Sequence, residues 1–348
     1  MPDYHPLPTP GTPPTPPPLR KIAIEEHFAD PHNLPTNVDP DFAAKGGLEM
    51  GFVEQVIKRM FDISTVRIEE MDAADIDVSV LSLTTPGVEG IRDRQTAVDF
   101  ARKTNDHLAE IIRDGNGRFA GFASVALQDT DAAIAELERA HRQLGMNAVM
   151  INGSVDIGSD ERPHFLDEAR FDAFWEATAA LETPVYLHPR PVPPPVHATY
   201  YHDHPELSGA TWGFAPDTAT HVLRIVYGGV FDRHPGAQLI LGHLGETLPF
   251  FYGRIQRAFE YNPFKSRPAK RLQDYLAENI HITTSGNSND QALITSILTV
   301  GADRILFATD YPYDVAPDAA RWIESAPIAE NDRRKIAYGN AAKLLRLK

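Results

Sequence analysis

Eight short apolar runs, each followed by a longer amphipathic stretch, constrain this chain more than any other feature. The runs fall at residues 21–25, 78–83, 119–124, 148–152, 185–188, 239–242, 280–283 and 305–308. Nearly continuous apolar runs of this length suit parallel strands buried on both faces. The stretches between them, such as 94–113, 129–144, 171–181, 218–227, 291–300 and 330–345, read as helices, and Asp129-Thr130-Asp131 reads as a helix cap. Eight such alternations predict a closed (β/α)8 barrel of the α/β class. An open dinucleotide-binding sheet would need a glycine-rich first turn, and neither GxGxxG nor GxxxxGK[ST] occurs.

Residues 1–19 are dominated by proline, which donates nothing to a sheet and favours an extended conformer, so they read as an arm. Residues 20–348 then form a single barrel domain. The stretches 27–63 and 189–217 exceed ordinary loop length, and in a barrel such insertions build the rim of the active site. The chain has 48 acidic and 33 basic residues, a net charge of −15, which disfavours nucleic acid and anionic lipid and leaves small molecules as the expected partners. It has no cysteine, so a metal must be held by nitrogen and oxygen. With no apolar run of about 18 residues and no signal-peptide pattern, the expected location is the cytoplasm.

In a barrel, the C-terminal ends of the strands converge on one mouth. Glu25 and His27 close the first strand, and a separation of two in extended chain puts both on one side. Asn152 closes the fourth, His188 the fifth, His243 follows the sixth and Asp310 the eighth. Glu25, His27, His188 and Asp310 make a nitrogen and oxygen set suited to one zinc or manganese ion, with positions left for substrate and water. His243 sits in Leu241-Gly242-His243-Leu244-Gly245-Glu246, where Glu246 can orient the ring and fix its tautomer. Arg190 and Arg254 are candidates for pairing with an anionic substrate. His202-Asp203-His204 lies outside the strand-end pattern and is expected at the rim, His107 and His141 are expected to be exposed on helices, and Phe171, Phe174 and Trp175 are expected in the core.

Several long segments in order, KIAIEEHF at 21–28, LSLTTPGV at 81–88, NDHLAE at 105–110, VYLHPR at 185–190, LILGHLGETLPF at 239–250, HITTSGN at 281–287 and DRILFATDYPYD at 303–314, resemble the decarboxylase branch of the amidohydrolase superfamily. That branch includes γ-resorcylate (2,6-dihydroxybenzoate) and 2,3-dihydroxybenzoate decarboxylases. The resemblance implies a divalent metal on Glu25, His27, His188 and Asp310 with no organic cofactor, Asp310 doubling as the acid, His243 and Glu246 as the catalytic pair, and Asn152 and Arg254 contacting substrate. It implies non-oxidative, reversible removal of the carboxyl group from a hydroxybenzoate, and His27 tilts the choice toward 2,6-dihydroxybenzoate. It also implies a homotetramer, a dimer of dimers. The alternatives are 2,3-dihydroxybenzoate or salicylate as substrate, or hydrolysis of a lactone or amide by metal-activated water.

Overall fold

The structure is a computed structural model that describes residues 18–30, 50–262, 264 and 267–347. Eight parallel strands alternate with helices: β1 (Ile22–Phe28), β2 (Val78–Leu83), β3 (Phe119–Gly121), β4 (Val149–Asn152), β5 (Val185–His188), β6 (Leu239–Leu241), β7 (Ile280–Thr283) and β8 (Ile305–Leu306). Strands β1 to β3 pair in one run and β4 to β8 in another. Two seams join the runs into the expected (β/α)8 barrel. Ala123 bridges Val149 between β3 and β4, with Met150 N donating to Ala123 O at 3.0 Å. Glu26 bridges Tyr311 beside β8, with Ile24 N donating to Phe307 O and His27 N to Tyr311 O.

The strands alternate between two apolar clusters. Ile22, Ile24, Val80, Met150, Tyr186, Ile240 and Leu306 fill the barrel interior. Ala23, Leu81, Ile151, Leu187, Leu241 and Ile282 face the surrounding helices together with Phe171, Phe174 and Trp175, which are fully buried as expected. At the strand exits this two-residue period turns Ser82, Asn152, His188 and Thr283 inward. In β1 the register slips by one residue between Ala23 and Glu26. The extra residue places Ile24 and Glu25 both toward the interior, and such bulges re-aim side chains next to active sites.

The helices start where their caps place them. Asp93 accepts from Thr96 N, Asp129 from Ala132 N and Asn289 from Ala292 N. Three expectations change. Strand β1 runs on to Phe28 rather than stopping at 25, because Glu26 and His27 interrupt the apolar run but still pair with Leu81 and Ser82. The C-terminal segment is not one helix over 330–345: Glu330–Arg334 and Asn340–Leu344 flank a wider turn at Lys335–Gly339. There Ile336 O accepts from Phe307 N, which draws that carbonyl toward the barrel. The 189–217 stretch holds a helix at Pro194–Tyr200, a turn at Pro205–Leu207 and the first turn of Phe214–Tyr227. Most of the proline arm and positions 31–49 of the first insertion lie outside the described residues.

Candidate metal centre and active site

Glu25, His27, His188 and Asp310 come from the ends of β1, β5 and β8, and one ligand atom from each lies within 4.8 Å of the others. Asp310 Oδ1 is 3.4 Å from His27 Nε2, and Glu25 Oε1 is 3.4 Å from His188 Nε2. Glu25 Oε1 and His27 Nε2 are buried without a hydrogen-bond partner, which a protein tolerates where a further ligand completes the site. Two imidazoles and two carboxylates converging with free lone pairs fit a divalent ion.

The other atoms of these side chains are tied down. Glu25 Oε2 accepts from the Tyr186 hydroxyl and from Thr283 Oγ1 at 3.2 Å, so Oε1 alone faces the centre. Thr283 Oγ1 lies 2.9 Å from Ser285 Oγ, which accepts from His243 N at 3.0 Å. Ser82 Oγ holds His27 Nδ1 at 3.2 Å. Such outer partners fix ligand orientation and tautomer. Sequence reasoning missed Ser82, Tyr186, Thr283 and Ser285. The inward phase of each strand was the available signal, since Tyr186 stands two residues before His188 and Ser82 and Thr283 stand at strand exits.

His243 Nδ1 lies 2.6 Å from Glu246 Oε1, the expected dyad. Its Nε2 points at the metal centre, 3.7 Å from Asp310 Oδ2 and 3.8 Å from Glu25 Oε1. The turn that presents it is strained: His243, Leu244, Gly245, Glu246 and Thr247 all have positive φ, from 51° to 86°. Left-handed geometry costs a non-glycine residue roughly 1–2 kcal/mol, and such strain concentrates at functional sites. Burial alone would lower the pKa of His243, but the charges of Glu246 and Glu25 and the Asp310 contact hold it well above the usual value. Burial raises the pKa of Glu25. Burial also acts upward on Asp310, yet the neighbouring His243 and His27 imidazoles outweigh it and hold this carboxyl below the usual range. Burial drives His188 well down, which keeps a lone pair available.

A cavity of about 590 Å³ opens beside these groups, lined by Asp310, His243 and Gly286 at its floor and by Trp212, Phe214 and Phe251 at its walls. Its size and mixed lining suit a small aromatic molecule. Across the mouth, Tyr313 packs edge-on against His27 and its hydroxyl meets Thr84 Oγ1 at 2.9 Å.

Asn152 is buried at the end of β4, with Nδ2 3.4 Å from Glu89 Oε2 and Oδ1 without a partner. Burial pushes the Glu89 carboxyl up to about 7. Arg190, a candidate for pairing with an anionic substrate, donates to Ser154 O at 2.6 Å and pairs with Asp156 at 3.0 Å. Arg254 is exposed on the helix Leu248–Tyr261. His202 and His204 are exposed and pair with Asp203 and Glu206, as rim residues do. His107 and His141 are half-buried rather than exposed.

Residues 65–347 match the family model described as amidohydrolase. A gamma-resorcylate decarboxylase of Rhizobium sp. is 42% identical over 329 residues, 94% of this chain and 98% of that protein. A crystal structure of 2,6-dihydroxybenzoate decarboxylase complexed with 2,6-dihydroxybenzoate has a TM-score of 0.87 at 41% identity, over 94% of this chain and 99% of that one. A dihydroxybenzoic acid decarboxylase of Polaromonas sp. JS666, with bound manganese and the inhibitor 2-nitroresorcinol, has a TM-score of 0.88 at 40% identity, over 94% and 97%. With its strand-end donors converging at the mouth of a (β/α)8 barrel, the chain belongs to the amidohydrolase family.

Proposed function

We propose that this protein is a metal-dependent carboxy-lyase that decarboxylates 2,6-dihydroxybenzoate without oxidation, giving resorcinol and CO2, in a reversible reaction. The observation that carries this reading is the His243–Glu246 dyad set against Asp310 beside the four-residue cluster, with an aromatic-walled cavity above it. Glu25, His27, His188 and Asp310 would hold one divalent ion, manganese or zinc, which supplies a Lewis acid that orients the carboxylate and ortho-hydroxyl oxygens and stabilises the phenolate.

The protein's own groups then manage one proton. Trp212, Phe214 and Phe251 line the cavity and offer apolar surface to the substrate ring. His243 Nε2, 3.7 Å from Asp310 Oδ2, is placed to relay a proton to it. That transfer runs against the pKa order of the substrate-free site and requires the anionic substrate beside Asp310 to raise its carboxyl. Asp310 delivers the proton to the ring carbon bearing the carboxylate. The electron pair of the breaking carbon–carboxylate bond returns to the ring as CO2 leaves, so an aryl carbanion is avoided. Glu246 keeps the opposite face of His243 charged and oriented while the ring is reprotonated. Asn152, with its free Oδ1, is assigned to a substrate hydroxyl, and Arg254 to substrate recognition across an assembly of several copies. The reading includes a homotetramer, a dimer of dimers, in which a neighbouring copy would cover exposed apolar side chains such as Phe250 and Tyr261. Among the described residues no helix is long and apolar enough to cross a membrane.

The test is incubation of manganese-loaded protein with 2,6-dihydroxybenzoate, following resorcinol by chromatography, alongside Asp310→Asn. The reading expects turnover in the parent and substrate binding without turnover in the variant. Ring opening of lactones with no CO2 from any hydroxybenzoate would replace it with a hydrolase.

A further inference from the structure

Glu26 is the one carboxylate of β1 that turns away from the barrel interior, and it is almost fully buried. It occupies the seam where β8 returns to β1. Backbone bonds cross this seam at Ile24 N to Phe307 O and at His27 N to Tyr311 O. Between them the chain leaves extended geometry, because Asp310 has φ +67°. The backbone N–H of Thr309 therefore meets no strand carbonyl. Glu26 fills the gap with both oxygens: Oε1 accepts from Thr309 N at 3.0 Å and Oε2 from Thr309 Oγ1 at 2.8 Å. A two-point grip of this kind fixes the position and the rotation of the residue it holds. Thr309 directly precedes Asp310, and the left-handed kink between this grip and the Tyr311 bridge is what swings the Asp310 carboxylate to the His27 and His243 side.

Arg67 completes the arrangement from the helix Val66–Ala73. It is buried, donates from Nη2 to His27 O and lies 4.4 Å over the Tyr311 ring. One guanidinium thus touches both sides of the seam, and its charge acts downward on the Glu26 pKa, although burial outweighs it and pushes that carboxyl up to about 8.

We propose that Glu26 is a positioning residue for Asp310: by clamping Thr309 it sets where the Asp310 carboxylate stands relative to the other three ligands and the substrate carbon. The inference rests on the reading of Asp310 as ligand and acid. A ligand or acid displaced by about 1 Å loses on the order of 100-fold in rate, and outer partners of metal ligands contribute about 10- to 100-fold in metal affinity or activity.

The experiment compares Glu26→Ala, Glu26→Gln, Thr309→Val and Asp310→Asn in the full chain, measuring kcat and KM for 2,6-dihydroxybenzoate and manganese affinity by chelator competition. Glu26→Ala should lower kcat about 100-fold with KM within about threefold, and weaken manganese binding about tenfold. Glu26→Gln should rescue most of kcat, because its carbonyl still accepts from Thr309 N and its amide can donate to Thr309 Oγ1. Thr309→Val, which removes one of the two contacts and leaves Glu26 itself in place, should lower kcat by about three- to tenfold and decides the matter if Glu26→Ala does not fold. Parent-like kcat and metal affinity in Glu26→Ala or Thr309→Val, or a Glu26→Gln variant as impaired as Glu26→Ala, overturns the proposal while an inactive Asp310→Asn leaves the role of Asp310 standing. A fully active Asp310→Asn overturns both.

Discussion

Replacing Tyr186 by Phe should weaken metal binding without disturbing the barrel. The hydroxyl of Tyr186 is one of two donors on Glu25 Oε2, the other being Thr283 Oγ1 at 3.2 Å, and both are buried. Glu25 is completely enclosed, and burial already raises its pKa, so the carboxylate depends on these donors to stay ionised and to keep Oε1 aimed at the centre. A hydrogen bond to a charged acceptor contributes about 1.5–3 kcal/mol. At about 1.4 kcal/mol per factor of ten, its loss corresponds to roughly 10- to 100-fold weaker manganese binding. Retention of Thr283 places the expectation near the lower end. The phenyl ring keeps the packing of Tyr186 against Phe122, whose ring centre lies 5.6 Å away, so the melting temperature of the metal-free protein should stay close to that of the parent. Chelator competition at fixed pH gives the dissociation constant. An affinity within about twofold of the parent would refute the reasoning, since it would mean that Glu25 is oriented without its hydroxyl partners.

Glu246→Gln removes the charge that props up the pKa of His243 and should lower kcat by about 100-fold while moving the alkaline limb of the pH–rate profile to lower pH; an unmoved limb would exclude Glu246 from that role. Gly87→Ala should raise KM about tenfold, because Gly87 has φ 63° and ψ −160° and an added Cβ would overlap Asn152 Nδ2 and Glu89 Oε2; unchanged steady-state kinetics would place Asn152 outside the substrate site. Burial lowers the pKa of His221 to about 3, and its Nε2 accepts from Leu166 N at 2.9 Å. Between about pH 6.5 and 3 the unfolded chain therefore binds a proton there that the folded chain refuses, so stability falls with falling pH across that window. In denaturant titrations the stability of His221→Gln relative to the parent should improve by about 1.4 kcal/mol per pH unit over the same window; a pH-independent difference would show that His221 is protonated in the folded protein.

The barrel and the ligand set were legible because one physical fact governs both. A strand buried on two faces must be apolar throughout, so a charged residue or an imidazole at its C-terminal end stands out against the run that precedes it. Glu25, His27, His188 and Asp310 stood out in this way, and they meet. The residues that orient them did not stand out. Thr283 and Ser82 are small and unremarkable in a strand, and Tyr186 passes for an apolar core residue. Only the inward phase set by neighbouring positions reveals that their hydroxyls share the ligands' side. The contacts of Arg190 were hidden for the opposite reason. Its position two residues past His188 matched a substrate cation, but the carbonyl of Ser154 and the carboxylate of Asp156 close around the guanidinium, contacts from residues about 35 positions away that no local pattern encodes.

Glu26 shows where period-two reasoning reaches its limit. An unbroken alternation that puts Glu25 and His27 inward would put Ile24 outward, yet Ile24 packs in the barrel interior with Val80 and Tyr186. The slip between Ala23 and Glu26 reconciles the two, and its consequence is that an apolar floor and a ligand carboxylate sit on adjacent residues. The same slip fixes Glu26 on the outer face, level with Thr309, where an acid would otherwise be out of place among buried side chains. Thr309 offsets part of the cost of burying that acid with two hydrogen bonds, and burial meets the rest by raising its pKa to about 8. Bulge, buried acid and left-handed Asp310 are thus parts of one local solution for bringing β8 back to β1 with a ligand at the joint.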